Sequence, residues 1–384
     1  MAYLLHSKKT KLHGKAVKGF PLILWNDDKV HWVALHYMLD KYNGENLSSI
    51  GLYGQHLQDL FTQIEGQDGY SDAQDLDDDF LKAFKQSILE RNDGKTNRNY
   101  AKQVLGTVIR YCKWLEDEGF SRNLIGETKL HRIRIKITDK GKLQHRLAKS
   151  NKLDTTPLRA PRTNWIELIK PYGPKTPRVL KRFCLMMDWA RVLGLRGHEV
   201  TALKTRDVPS LKAAEKAILT GNELDIKLTV TKGSKDAVVR AQPLLVKQTR
   251  DYIDTLRDEV VADVIKKNKK AIAAARKTGK PIPPLYKDEG YLFLSEGTGT
   301  KLHDKTFSNQ VRSAFLVACE AGVLSEEERV WTQGLRHNFV VIFLKKQDKA
   351  GVPRPEAVTR QASRHGSDKA MEPYITERYN PTFE

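Results

Sequence analysis

The chain has 384 residues, a length typical of two domains, and its 66 Lys and Arg exceed its 47 Asp and Glu to give a net charge of +19. A surplus of that size favours a polyanionic partner, above all nucleic acid, over a basic surface with no specific partner. The lysine-rich first residues lack the apolar core of a signal peptide and no apolar run reaches the length of a membrane span, so we expect a soluble, cytoplasmic protein without a membrane partner.

Three cysteines are widely spaced and form neither a CxxC pair nor a metal-binding pattern: Cys112, Cys184 and Cys319. Each lies among apolar residues, which predicts buried thiols in a reducing compartment.

Residues 1–26 combine Lys and His with one short apolar patch, and we interpret them as an N-terminal arm. Apolar residues at helical spacing then predict four helices, over 31–42, 49–65, 79–91 and 97–118. Together they form a helical module over residues 27–120, whose fourth helix stops at Gly119. Its aromatic residues are more typical of a core than of a surface for stacking bases.

Residues 121–162 contain twelve Lys or Arg and only three Asp or Glu. Within them, Arg132, Arg134 and Lys136 alternate with isoleucines, a pattern that suits an edge strand. Since the other apolar residues are scattered, we prefer an extended basic linker that follows a phosphate backbone, with a merely solvated linker as the alternative.

A second domain is predicted over 163–384. Its elements are helices over 165–169 and 179–193, a hairpin of strands 223–231 and 237–243, a long helix from 246 to about 276, a strand over 291–294 and a helix over 307–321. The fold class is therefore mainly α with a small antiparallel β-sheet.

The most informative stretch lies near the C-terminus. Gln333-Gly-Leu-Arg336-His337 precedes an apolar helical run, and Tyr374 follows His365 by nine residues. An Arg at a helix start, a His and a Tyr set out in this way suit phosphoryl transfer, because guanidinium binds two phosphate oxygens and a phenol is able to act as the nucleophile.

Two earlier residues complete this chemistry. Arg196 also stands at the start of an apolar run, and Lys232 at the tip of the hairpin is placed to donate a proton. No carboxylate cluster has metal-ligand spacing, and the same holds for the histidines of the C-terminal half, His198, His303, His337 and His365. We therefore expect no cofactor and no metal.

Five motifs in this order resemble the tyrosine recombinases, or phage-type integrases. They are Gly194-Leu195-Arg196 with Glu199, Thr231-Lys232-Gly233-Ser234-Lys235, Gly334-Leu335-Arg336-His337, His365-Gly366-Ser367 and Tyr374. The resemblance covers the whole second domain. It extends more weakly to the helical module, where Thr96–Tyr100, including Arg98, and Trp114–Gly119 are similar to the last helix of the family's core-binding domain.

The resemblance implies a role for each matched residue. Tyr374 would be the nucleophile that forms a 3′-phosphotyrosine, and Arg196 and Arg336 would hold the scissile phosphate. Lys232 would be the general acid, with Lys235 as a less favoured substitute, and His365 would hydrogen-bond the phosphate. The remaining implied roles are support of the site by Glu199 and a structural role for His337. Apart from the resemblance, DNA contacts are predicted for Arg98, Arg132, Arg134, Lys136 and Lys235.

The sequence departs from the family's pattern at two places. Gln333 occupies a position that is usually His and sometimes Lys. Glutamine donates a hydrogen bond but is unable to act as an acid or a base. Ser363-Arg364-His365-Gly366 replaces the more usual Leu-Gly-His-Ser. Tyr379, five residues beyond Tyr374, is the rival nucleophile.

The implied protein is a site-specific DNA recombinase of a mobile element, encoded by a bacterium or phage and associated with the nucleoid. It would be a two-domain DNA clamp that acts on double-stranded DNA as a homo-tetramer, with accessory DNA-bending or directionality factors. One alternative keeps this chemistry and is a type IB topoisomerase or a hairpin telomere resolvase. The other lacks it and is a DNA-binding protein with a degenerate site.

Overall fold

The structure is a computed structural model that describes residues 1–44, 46–91, 93–94, 96, 98–148, 160–229 and 236–378, apart from the side chains of residues 369, 376 and 378. The chain forms two compact units, Met1–Asp154 and Thr155–Glu384. None of the helices in these described ranges is both long and apolar enough to cross a membrane.

The first unit begins with four short strands: β1 (Tyr3–His6), β2 (Thr10–Leu12), β3 (Lys15–Val17) and β4 (Pro21–Leu24). β1 pairs antiparallel with β4, and β2 pairs antiparallel with β3. Phe20 and Ile23 are almost fully buried in the same core as the helices that follow. The interpretation of residues 1–26 as an arm is therefore wrong, because these strands close one side of the helical core.

Four helices follow, as the apolar spacing predicted: α1 (Trp32–Lys41), α2 (Leu47–Glu65), α3 (Asp78–Glu90) and α4 (Arg98–Asp117). The backbone N–H of Phe80 donates to Asp77 at 2.7 Å, which caps α3. Phe61 and Tyr111 are fully buried and pack edge to face, so the aromatic residues of this unit form its core.

The segment after α4 also belongs to the first unit. It contains four two-residue strands, β5 (Ile125–Gly126), β6 (Ile133–Arg134), β7 (Lys136–Ile137) and β8 (Leu143–Gln144). Ile133 and Ile135 are buried in the core while Arg134 and Lys136 point outward. The extended-linker interpretation is thus wrong for residues 121–148, where the alternation belongs to strands. Residues 149–159 lie outside the described part.

In its described residues, the second unit is mainly helical, with one hairpin. Its elements are α5 (Thr163–Ile169), α6 (Pro177–Val192), α7 (Gly197–Ala202), α8 (Leu211–Thr220), β9 (Leu224–Leu228), β10 (Ala237–Ala241), α9 (Pro243–Tyr252), a π-helical turn (Ile253–Arg257), α10 (Asp258–Thr278), α11 (Asp304–Glu320), α12 (Thr332–Lys349), α13 (Pro355–Ser363) and α14 (Glu372–Arg378).

The hairpin is antiparallel, with Leu228 opposite Ala237. The predicted tip residues Lys232 and Lys235 lie outside the described residues. The predicted strand over 291–294 is wrong, because this segment makes only two isolated β-bridges. Tyr291 bridges to Lys204 and Leu294 to Lys301, and the two side chains between them are buried. α8 lies in a polar stretch for which no helix was predicted.

The C-terminal helices of the second unit share a small separate core. Val340, Val341 and Leu344 on α12 pack with Met371 and with Tyr374 on α14. This packing brings the last predicted motif against α12, whose first two turns contain Gln333, Arg336 and His337.

Candidate active site

Arg196 donates two hydrogen bonds to Glu199 at the start of α7. The backbone N–H of Arg196 donates to Glu199 Oε2 and its Nη1 donates to Oε1, both at 2.9 Å. The Glu199 side chain is fully buried, whereas 20% of the Arg196 side chain is exposed. The carboxylate therefore fixes a guanidinium that solvent still reaches.

Arg336 is fully buried in the second turn of α12. Its Nη1 donates to the carbonyl oxygen of Gly194 at 2.6 Å, and its Nη2 donates to the carbonyl oxygen of Ser363. Its Nε has no hydrogen-bond partner. This guanidinium thus joins the loop before α7 to the end of α13.

A third arginine enters the same cluster. Nη2 of Arg364 donates to Glu199 Oε2 at 2.8 Å and to the Gly194 carbonyl oxygen at 3.4 Å. Arg364 has no role in the motifs. The signal that pointed to it was the departure at this motif, where arginine replaces the usual glycine.

Two histidines flank Tyr374, which is 6% exposed. The ring centroids of His337 and Tyr374 lie 5.3 Å apart, and those of His365 and Tyr374 lie 5.6 Å apart. His365 Nδ1 and Ser363 Oγ are 2.7 Å apart, which orients the imidazole of His365.

Burial and positive charge together set the ionisation of the site. Burial first, and then Arg196 and Arg364, lower the pKa of Arg336 to about 9. Burial and the neighbouring arginines lower the pKa of His365 to about 4, while burial and Arg336 lower that of His337 to about 4. Burial raises the pKa of the Tyr374 phenol. Both imidazoles and the phenol are therefore neutral at pH 7, among charged guanidinium groups.

Glu199 balances part of that charge. Burial alone would raise its pKa, but the hydrogen bonds and charges of Arg364 and Arg196 outweigh burial, so the pKa is lowered. Arg196 and Arg364 contact this carboxylate and Arg336 lies in the same cluster, which leaves a surplus of positive charge in a largely buried site. Such a surplus favours an anionic ligand.

The structure thus brings together six of the predicted residues in the second unit: Arg196, Glu199, Arg336, His337, His365 and Tyr374. Gln333 is exposed on the first turn of α12, three residues before Arg336. The predicted DNA-binding residues Arg98, Arg132, Arg134 and Lys136 are all exposed and lie in the first unit, where Arg132 donates to the Gln74 carbonyl.

The chain is similar to known proteins in its structure but not detectably in its sequence. No family profile and no curated protein matches the chain. A lambda integrase (75–356) dimer bound to a COC′ core site matches with a TM-score of 0.55 at 15% identity, over 91% of this chain and 96% of that chain. XerH site-specific recombinase bound to palindromic difH substrate, in a post-cleavage complex, matches with a TM-score of 0.53 at 15% identity, over 94% and 89%.

The chain therefore has the tyrosine-recombinase fold, as the order of its motifs predicted. The match extends over nearly the whole chain, so both units are part of that fold.

Proposed function

We propose that this protein is a site-specific DNA recombinase, which cleaves and rejoins DNA through a 3′-phosphotyrosine for the integration or excision of a mobile element. The observation that carries the proposal is the convergence of Arg196, Arg336, His365 and Tyr374. They come from four separate segments of the second unit and share one buried, positively charged cluster.

The chemistry follows from these groups. The Tyr374 phenol oxygen attacks the scissile phosphorus, its proton passes to neutral His365, and the bond from phosphorus to the 5′ oxygen breaks. The leaving 5′ oxygen takes a proton from Lys232, by the role that the motif implies. Attack of a 5′ hydroxyl on the phosphotyrosine reverses the step, so no cofactor or metal is required.

Arg196 is the guanidinium most accessible to the phosphate, because part of its side chain is exposed. Arg336 uses one N–H of each terminal nitrogen on a carbonyl oxygen, and its buried Nε has no hydrogen-bond partner. Because a guanidinium has five N–H donors, its contribution to phosphate binding requires DNA to uncover one of the remaining N–H groups, or comes from its charge alone.

The first unit is proposed as the core-binding domain and the second as the catalytic domain. Outward-facing cations on the strands after α4, Arg134 and Lys136, are proposed to contact the phosphate backbone, together with Arg98, Arg132 and Lys235. Strand exchange joins paired sites, so the active form is proposed as a homo-tetramer on double-stranded DNA, with accessory DNA-bending or directionality factors, in a bacterial cytoplasm.

A suicide DNA substrate, nicked close to the cleavage point, tests the proposal. The unmodified protein should form a covalent adduct that survives denaturing electrophoresis, and Tyr374→Phe should form none. Tyr379→Phe is the matched control and should keep the adduct. An adduct with Tyr374→Phe would show that another residue is the nucleophile.

One observation supports a second candidate. Gln333 occupies the position where the family has a proton-carrying side chain, so the chain is alternatively a DNA-binding protein with a degenerate site. That protein would bind DNA with a strong salt dependence but would form no adduct on any nicked site.

A further inference from the structure

The end of α13 has a backbone conformation that favours glycine. Arg364 is left-handed there, with φ 57° and ψ 42°. Its N–H donates to the Gln361 carbonyl at 3.1 Å, and the N–H of His365 donates to the Arg360 carbonyl at 3.0 Å. Because a side chain is disfavoured in this conformation, an arginine here calls for an explanation in its contacts.

Those contacts lie inside the candidate site. Only 15% of the Arg364 side chain is exposed. Its Nη2 donates to Glu199 Oε2 at 2.8 Å, while Nη1 of Arg196 donates to Glu199 Oε1 at 2.9 Å. One buried carboxylate thus joins two arginines that are far apart in the chain.

The sharing of Glu199 has an electrostatic consequence. A carboxylate that is hydrogen-bonded to Arg196 alone would cancel much of the attraction of Arg196 for an anion. Arg364 brings a second positive charge to the same carboxylate, so the three groups together keep a net positive charge beside the accessible guanidinium.

We propose that Arg364 is a positioning residue for DNA cleavage. It holds Glu199 so that this carboxylate orients Arg196, and it offsets the carboxylate's charge so that Arg196 retains its attraction for the scissile phosphate. The proposal rests on the proposed function above, and it requires no contact between Arg364 and DNA.

The chain offers a closely matched control. Arg354, at the other end of α13, is also left-handed, with φ 54°, but is exposed. Arg364→Gly and Arg354→Gly therefore remove the same charge and relieve the same kind of backbone strain at two ends of one helix. Only Arg364→Gly removes a contact with Glu199. Arg364→Lys keeps the charge without the guanidinium fork.

The test compares two nicked substrates, one with the natural scissile phosphate and one with a neutral methylphosphonate at that position. Single-turnover adduct formation is measured for each variant at saturating protein. On the phosphate, Arg364→Gly should be about 10- to 100-fold slower than the unmodified protein, as expected for a misplaced phosphate-binding group. On the methylphosphonate, which needs less positive charge, the deficit should shrink to about threefold or less.

Arg364→Lys should recover part of the rate on the phosphate, and Arg354→Gly should follow the unmodified protein on both substrates. If thermal melting shows that Arg364→Gly does not fold, the rates of Arg364→Lys on the two substrates are compared instead. The rate deficit of Arg364→Lys should be smaller on the phosphate and should again shrink on the methylphosphonate.

An equal deficit on both substrates would overturn the proposal, since a merely structural role affects both alike. A natural rate for Arg364→Gly on the phosphate would also overturn it, while leaving the recombinase function intact. If the unmodified protein forms no adduct on its own sites, the recombinase function itself fails and the role of Arg364 fails with it.

Discussion

Arg336 donates a hydrogen bond at 2.6 Å to the carbonyl oxygen of Gly194, which lies 142 residues earlier in the chain. The same carbonyl accepts from Arg364 at 3.4 Å. Through this one oxygen, the loop before α7, the start of α12 and the end of α13 are held in a fixed relation. The geometry of the cluster therefore depends on a backbone group as well as on the side chains that the motifs contain.

Gly194→Ala should destabilise the second unit. Gly194 has φ +60°, and an added Cβ would lie 2.3 Å from Phe339 Cδ1, so strain and steric overlap act together. The expected loss is about 2–4 kcal/mol in the free energy of unfolding, measured with urea. Gly221→Ala is the control: φ is +69° there but nothing lies within 4 Å, so the loss should be about 1–2 kcal/mol. Equal losses at the two sites would contradict the contact with Phe339.

The order and spacing of the motifs predicted the fold. They also selected residues that converge in the structure, because Arg196, Arg336 and Tyr374 each lie in a recognisable local pattern. The sharing of Glu199 between two arginines was beyond such prediction. Arg364 lies 165 residues from Glu199, and only tertiary packing brings the two together. For the same reason the histidines were assigned roles without any sign that both rings lie against Tyr374.

The errors in the first unit have a different cause. The apolar patch before α1 is short, and a short run does not distinguish a core strand from an arm. The isoleucines at 133 and 135 alternate with cations, a pattern compatible with both a linker and an edge strand. Burial against α4 and its neighbours decides between them, and burial is a property of the folded chain.

Arg336→Lys should slow adduct formation while retaining DNA binding. Lysine keeps a positive charge but is unable to serve both the Gly194 and Ser363 carbonyls in one plane. We expect about a 100- to 1000-fold lower single-turnover rate, similar to the loss of a preorganised donor at a reacting phosphate. Arg312→Lys, an exposed site on α11, should leave the rate unchanged. A fully active Arg336→Lys protein would show that the fork geometry is dispensable.

The second unit should lose stability in mild acid through His337. Burial, together with Arg336, lowers its pKa to about 4, below the value near 6.5 of an unfolded chain. As the pH falls, the unfolded state binds the proton first, so stability is lost progressively from about pH 6.5 to pH 4. The loss attributable to this group is on the order of 2–3 kcal/mol.

Urea unfolding followed at several pH values measures that loss. His337→Gln should give a flatter dependence in this window, because the titrating group is gone. His6→Gln, an exposed site on β1, should run parallel to the unmodified protein. If His337→Gln and the unmodified protein lose stability equally between pH 6.5 and pH 4, the depressed pKa of His337 is not the cause.

Gln333→His should accelerate cleavage. Gln333 is exposed on the first turn of α12, three residues before Arg336, so the two side chains lie on the same side of the helix. Glutamine is able to hydrogen-bond a phosphate oxygen, whereas imidazole also carries a proton, and a positioned proton carrier raises rates substantially. We expect about a 10- to 100-fold gain in single-turnover adduct formation. Gln333→Ala, which removes the hydrogen bond, should be slower than the unmodified protein. An unchanged rate for Gln333→His would mean that proton transfer is already complete without this position and rests on Lys232 and His365.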